Sequence, residues 1–224
     1  MGKIDLKLST ISSKVVMAIA GLFLMSFLIV HLSINLLMLS GDGGENFKTA
    51  VDFMTTNPAI KIFEYVLFGG FIIHMIIGVL IEIRNYFVRP IKYAVSSKAN
   101  TSFFSKYMIY TGIVIFIFLA LHFTNFFFVK LGWVSLPEYA SNKHDFFTMA
   151  KHLFSNHCFS IIYIVCFIFL GFHLNHAFQS AFQTLGINHP KYTPFIKFLA
   201  TVYAVAIVIG FTIIPVYFLF FHSN

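Results

Sequence analysis

An all-α bundle of five membrane-spanning helices, built as one domain over residues 1–224 with its N-terminus inside, is predicted by three observations. The chain is 58% apolar and 10% charged, with thirty-one Phe, whereas a soluble domain carries about 25% charged residues. Five apolar stretches each meet the roughly 20 residues needed to cross a bilayer core: about 15–39, 62–81, 107–129, 159–182 and 195–221. Basic residues concentrate in alternate connections. They occupy the N-terminal tail (Lys3, Lys7, Lys14), the second connection (Arg84, Arg89, Lys92, Lys98, Lys106) and the fourth (Lys191, Lys197), which places those segments inside by the positive-inside rule. The net charge of +7 is therefore read as topology and contact with anionic lipid headgroups, not as a nucleic-acid surface.

The first segment follows three lysines as a signal peptide would, but its apolar run is too long and no small-residue cleavage site follows, so it is expected to remain as an anchor. It carries His31, with Asn35 one turn later on the same face. The connection after it holds Gly41, Gly43, Gly44 and Pro58 with the acids Asp42, Glu45 and Asp52, the punctuation of a loop with room for a short surface helix. In the second segment Gly70, His74 and Gly78 follow one another at i+4. Glycines so placed serve either close helix packing or the approach of a bulky ligand, and the histidine between them favours the ligand. The basic second connection suits docking onto another subunit or onto lipid.

The third segment bears His122, Asn125 and Phe126 and ends near Lys130 and Trp133, the single Trp, at the level of an interfacial anchor. His144, His152 and His157 fall in the third connection and are expected to be solvated. Cys158 and Cys166 lie eight apart on one predicted helix, too far for a disulfide, and are expected in the core. The fourth segment holds His173 and His176, and after His173 one face carries Ala177, Ser180, Ala181 and Thr184. Pro215 is expected to kink the fifth segment, which ends at His222. The sequence has no internal repeat, phosphate loop or nucleophile motif, and no Cys-x-x-Cys-His for covalent haem attachment.

Ionisable residues at membrane depth require a functional reason. At a rise of about 1.5 Å per residue, His31 and His122 both sit roughly 22–24 Å from the inner ends of their helices, and His74 and His173 roughly 13–15 Å. His176, one turn beyond His173, would mismatch His74 by about 4.5 Å. Two level pairs at two depths are what two stacked bis-histidine haems require, since iron takes neutral imidazole as an axial ligand.

The ordered motifs His31-Leu-Ser-Ile-Asn35, Glu45-Asn-Phe and Phe53-Met before Pro58, His74 with Gly78, His122, and His173 followed by Gly186 cover nearly the whole chain. Together they resemble the cytochrome b membrane anchor of bacterial succinate dehydrogenase and fumarate reductase, in its single-subunit, five-helix, two-haem form. The resemblance implies two haem b groups, with His31 and His122 ligating the distal iron and His74 and His173 the proximal one. It also implies a place in the bacterial inner membrane and partner subunits at the cytoplasmic face, a flavoprotein carrying FAD and an iron–sulfur protein, where succinate and fumarate interconvert. Electrons would pass to menaquinone near the distal haem, with Glu45, Asp52 and Glu64 as candidate proton-transfer groups at that end. One departure is Gly171: some fumarate reductases of this type carry a proton-conducting glutamate there. Two other readings stay open, a dihaem cytochrome b of another quinone-linked dehydrogenase or hydrogenase, and a colourless transporter relaying protons through its histidines.

Overall fold

A computed structural model describes residues 10–88 and 108–221; Lys3, Lys7, Arg89, Lys92, Lys98, Lys106 and His222 lie outside the described residues. Those residues form seven helices and no strand. They are α1 (Thr10–Leu36, extended by a 3-10 turn at Leu37–Leu39), α2 (Glu45–Thr56), α3 (Pro58–Val88), α4 (Met108–Leu131), α5 (Phe146–Ser155), α6 (His157–Thr184) and α7 (Thr193–Phe221). α1, α3, α4, α6 and α7 are each long and apolar enough to cross a membrane. The fold is thus the polytopic all-α bundle that composition and apolar run length imply.

The boundaries follow local chemistry. α3 begins four residues before its apolar stretch because Asn57 caps it, accepting from the Ala59 amide at 2.9 Å. Pro58 at the first helical position lacks only an N–H that would go unpaired there anyway. Asn156 caps α6 in the same manner, accepting from the Cys158 and Phe159 amides at 2.9 and 3.3 Å. The expected surface helix of the first connection is α2, introduced by Gly44 at φ 89°. The Asp42 carboxylate ties down this entry, accepting from the Gly44 and Asn46 amides at 2.9 and 2.8 Å.

α5 is a second surface helix, in a connection read from sequence as a loop. Its signal is an amphipathic pattern, with Phe146, Met149, Ala150, Leu153 and Phe154 spaced for one helical face and Asp145 as its cap. The carboxyl of Asp145 is buried, which pushes it up, but the hydrogen bonds it accepts from Ser141 and Thr148 outweigh burial and hold it below the usual carboxylate range. α2 and α5 together close one end of the bundle. Phe147 of α5 reaches Phe47 of α2 (centroids 6.4 Å) and Phe218 of α7 (5.9 Å). It packs so closely over Gly44 that a Cβ there would stand 2.5 Å from its ring.

Four of the long helices enclose a common axis. α1 packs on α3 and α6, α4 packs on α6, and α3 and α4 meet only lightly, so α1–α4 and α3–α6 are the diagonals of a four-helix ring. α7 lies behind α1 and α6 and carries much of the core, including Ala204, Ile207, Phe211, Ile214 and Phe218. It runs unbroken through the buried Pro215. The light α3–α4 edge is closed near α2 by Phe68 against Phe123 and Phe127 (centroids 5.6 and 4.8 Å) and by a 2.7 Å ion pair between Glu64 and Lys130.

Two expectations are corrected. Gly70 and Gly78 are packing sites: Cβ atoms there would lie 3.2 Å from Phe23 and from Met17, so each glycine admits a side chain of α1. Cys158 is exposed at the first turn of α6, not in the core, while Cys166 is half-buried, and both are free thiols. Cys158 lies on the face of α6 opposite the buried Ser160, Tyr163 and Phe167, since two residues turn a helix by about 200°.

Candidate functional site

His31, His74, His122 and His173 each come from a different helix of the ring, and the structure brings them together along its diagonals. His31 of α1 and His122 of α4 stand with ring centroids 5.9 Å apart at an interplanar angle of 82°. His74 of α3 and His173 of α6 stand 6.4 Å apart at 69°. Side chains on facing helices that meet on the axis are how helical bundles build interior cofactor sites.

The two pairs have different surroundings. The first is sheathed in aromatic rings: Phe27 stacks on His31 at 5.3 Å and Phe211 of α7 approaches it at 5.7 Å. Phe118 stacks on His122 at 5.9 Å, and Phe126 and Tyr163 approach at 5.3 and 6.4 Å. Directly after His122 the helix makes a π-turn over Phe123–Phe127, a feature frequent at functional sites. The turn aims Asn125 at the deeply buried Tyr163, whose hydroxyl accepts at 2.9 Å. Asn35, one turn after His31, donates to the His31 carbonyl at 2.7 Å and lies 3.4 Å from its Nδ1.

The second pair is set among small residues. A Cβ on Gly21 of α1 would stand 3.5 Å from Cε1 of His74, and one on Gly112 of α4 would stand 3.7 Å from Cε1 of His173. Thr111 reaches His173 from the neighbouring helix α4, its Oγ1 3.2 Å from Nδ1. His173 therefore faces His74, and His176 follows one turn further along α6, half-buried.

These residues fit a metal centre held by paired imidazoles. A metal bound about 2 Å from each ring nitrogen sets two facing imidazoles with centroids about 6 Å apart, and both pairs have that spacing. Nδ1 of His74 and of His122 are buried with no hydrogen-bond partner, although buried polar groups are paired as a rule. Among the described residues no group of three or more His, Cys, Asp or Glu is placed to hold a metal ion.

The candidate proton carriers separate. Glu45 and Asp52 are exposed on α2, Glu45 standing 3.9 Å from Lys48. Glu64 is half-buried on α3, bound to Lys130, whose ammonium also sits 5.4 Å over the Phe127 ring. His144, His152 and His157 are exposed, with His152 stacked on Tyr139 at 3.8 Å. Gly171 is a close contact of α6 with α7: a Cβ there would stand 2.5 Å from Cγ2 of Val208. Thr111, Gly112, Tyr163 and the Lys130 partner of Glu64 escaped the sequence reading. For Thr111 a signal existed, since it lies eleven residues, three turns, before His122 on the same face of α4.

Comparison of the chain with protein-family models, with curated proteins and with solved structures finds no match in any of the three. The residues of the site are accordingly the basis of the functional reading.

Proposed function

We propose that the chain is a dihaem cytochrome b of the membrane-anchor class, each haem b held on one diagonal of the bundle by a histidine pair. Within that class the reading is the anchor of a succinate:quinone oxidoreductase in a bacterial inner membrane. It would join an iron–sulfur subunit and a flavoprotein subunit at the cytoplasmic face to menaquinone in the bilayer. The observation that carries the reading is the pair of imidazole spacings, 5.9 and 6.4 Å, contributed by four helices. Order and spacing of the sequence motifs support the narrower assignment, and so does the agreement between the depth pairing and the diagonals.

Haem supplies one-electron transfer at a potential that its axial ligands and surroundings set. The protein's own part is to orient the imidazoles and to keep water from the axis. The aromatic sleeve of Phe27, Phe118, Phe126 and Phe211 does the second at the pair nearer α2 and α5. Quinone reduction consumes protons as well as electrons, and Glu64 is a half-buried carboxylate at that end, on a helix of the ring itself. It can hold a proton near the quinone and exchange it, with Lys130 compensating its charge when ionised. On this reading the dicarboxylate chemistry takes place on the partner subunits.

A pyridine haemochrome assay on the purified chain tests the proposal, with two non-covalent haem b per chain expected. One per chain, or none, rejects it. A colourless protein would favour a transporter, and a dihaem protein without succinate-linked quinone turnover in its native complex would favour another quinone-linked dehydrogenase.

A further inference from the structure

The hydroxyl of Thr111 has one hydrogen to give, and the Met108 carbonyl lies 2.8 Å from Oγ1 as its acceptor. The same oxygen stands 3.2 Å from Nδ1 of His173, sixty-two residues away on α6. A carbonyl can only accept, so a Thr111 hydroxyl that donates to Met108 meets His173 as an acceptor; that arrangement satisfies both groups when Nδ1 carries the ring proton, and it leaves the Nε2 lone pair free. Among the described residues, none of the other three histidines has a side-chain hydroxyl as its hydrogen-bond partner. Asn35 approaches His31 with an amide nitrogen, a donor, already bonded to the His31 carbonyl, and Nδ1 of His74 and of His122 have no partner.

We propose that Thr111 is a positioning residue that fixes the tautomer and ring orientation of His173 so that Nε2 faces His74. The proposal rests on the dihaem reading and deepens it. A ligating histidine characteristically donates its other N–H to an acceptor, which sets the ring and raises its basicity, and loss of such a partner weakens metal affinity by about 10–100-fold. Gly112, the next residue, keeps a side chain away from the same ring. Because Thr111 and His122 lie on one face of α4, that helix supplies a ligand to one site and the orienting group to the other. Movement of α4 would then be felt at both.

The test compares Thr111→Val, which keeps shape and removes the acceptor, with Thr111→Ser, which keeps the hydroxyl. Haem loss to apomyoglobin and redox titration of each haem are followed in the assembled complex. Thr111→Val is expected to release the His74–His173 haem about 10–100-fold more readily and to raise its midpoint potential, because a less basic imidazole stabilises the oxidised iron less. Thr111→Ser should restore both, and the His31–His122 haem should be unchanged in each variant, which also reports a correct fold. If Thr111→Val matches the wild type in both measurements, or if both variants perturb both haems equally, Thr111 has no positioning role. Absence of haem from the wild-type protein would overturn the functional reading itself, a failure distinct from a null result in the variants.

Discussion

Placing a side chain at Gly171 probes the α6–α7 contact and, through it, the proton route that the resemblance associates with this position. A Cβ there would stand 2.5 Å from Cγ2 of Val208 and 3.9 Å from the Ala204 carbonyl. Carbon atoms settle at about 3.5–4.0 Å, so the first distance is about 1 Å too short. Val208 has little freedom to turn away, because a β-branched residue in a helix holds one χ1 rotamer; the two helices must separate. Overpacking of this kind costs about 1–3 kcal/mol, which is the expected loss for Gly171→Ala. Gly171→Glu would add about 2.5–3.5 kcal/mol for a carboxylate at membrane depth. The separation would also loosen the Phe167–Phe211 stack at 5.4 Å, and Phe211 lies against His31. Unfolding in mixed detergent–SDS micelles measures the first effect, and the spectrum and potential of the His31–His122 site the second. Val208→Ala should be nearly silent alone yet rescue Gly171→Ala, giving a coupling of about 1–3 kcal/mol in the double-mutant cycle. A Gly171→Ala protein as stable as the wild type, with no coupling to Val208, would refute the contact.

Three further outcomes follow from the site and its cap. His31→Ala and His122→Ala should remove the same redox midpoint, and His74→Ala and His173→Ala the other, which redox titration of the four variants decides; a variant pair split across midpoints would break the assignment. Glu64→Gln should slow quinone turnover by about 10²–10⁴-fold, the usual share of general acid–base catalysis. It should spare dye-linked succinate oxidation, and Glu45→Gln and Asp52→Asn, both exposed, should leave both rates near wild type. Asp145→Ala should destabilise the α5 cap by about 1 kcal/mol, seen as faster hydrogen exchange in its first turn. The Asp145 carboxyl is held below its usual range, so its contribution is full above the unfolded-state value and disappears as pH falls through the lower folded-state value. Asp145→Asn should flatten that acid dependence.

The structure also orders the candidate proton carriers. From the sequence Glu45, Asp52 and Glu64 are equivalent acids at one end of the bundle. In the fold two of them face outward on α2, whereas Glu64 closes the light edge between α3 and α4 by binding Lys130. The carboxylate and the aromatic latch of Phe68, Phe123 and Phe127 therefore sit at one seam, created where the π-turn after His122 resets the faces of α4.

Run length and composition alone determine that five helices are long and apolar enough to span, because crossing hydrocarbon demands a fixed length of apolar side chains. The constant rise of a helix likewise makes the depth of each histidine readable, so the level pairs His31 with His122 and His74 with His173 were legible before any tertiary contact was known. What a linear pattern cannot encode is which helices are neighbours and which face one another across the axis. That is why Gly70 and Gly78 read as a ligand face but in fact receive Phe23 and Met17 of α1. The same reason hides Thr111 from His173: the two are sixty-two residues apart, and only the packing of α4 on α6 sets the hydroxyl beside the imidazole. Local hydrogen-bond chemistry lies between these extremes. Asn57, Asp145 and Asn156 are visible as caps once a helix is suspected, but α5 is too short for its amphipathic face to hold a helix alone, and its burial against α6 and α7 decided the matter.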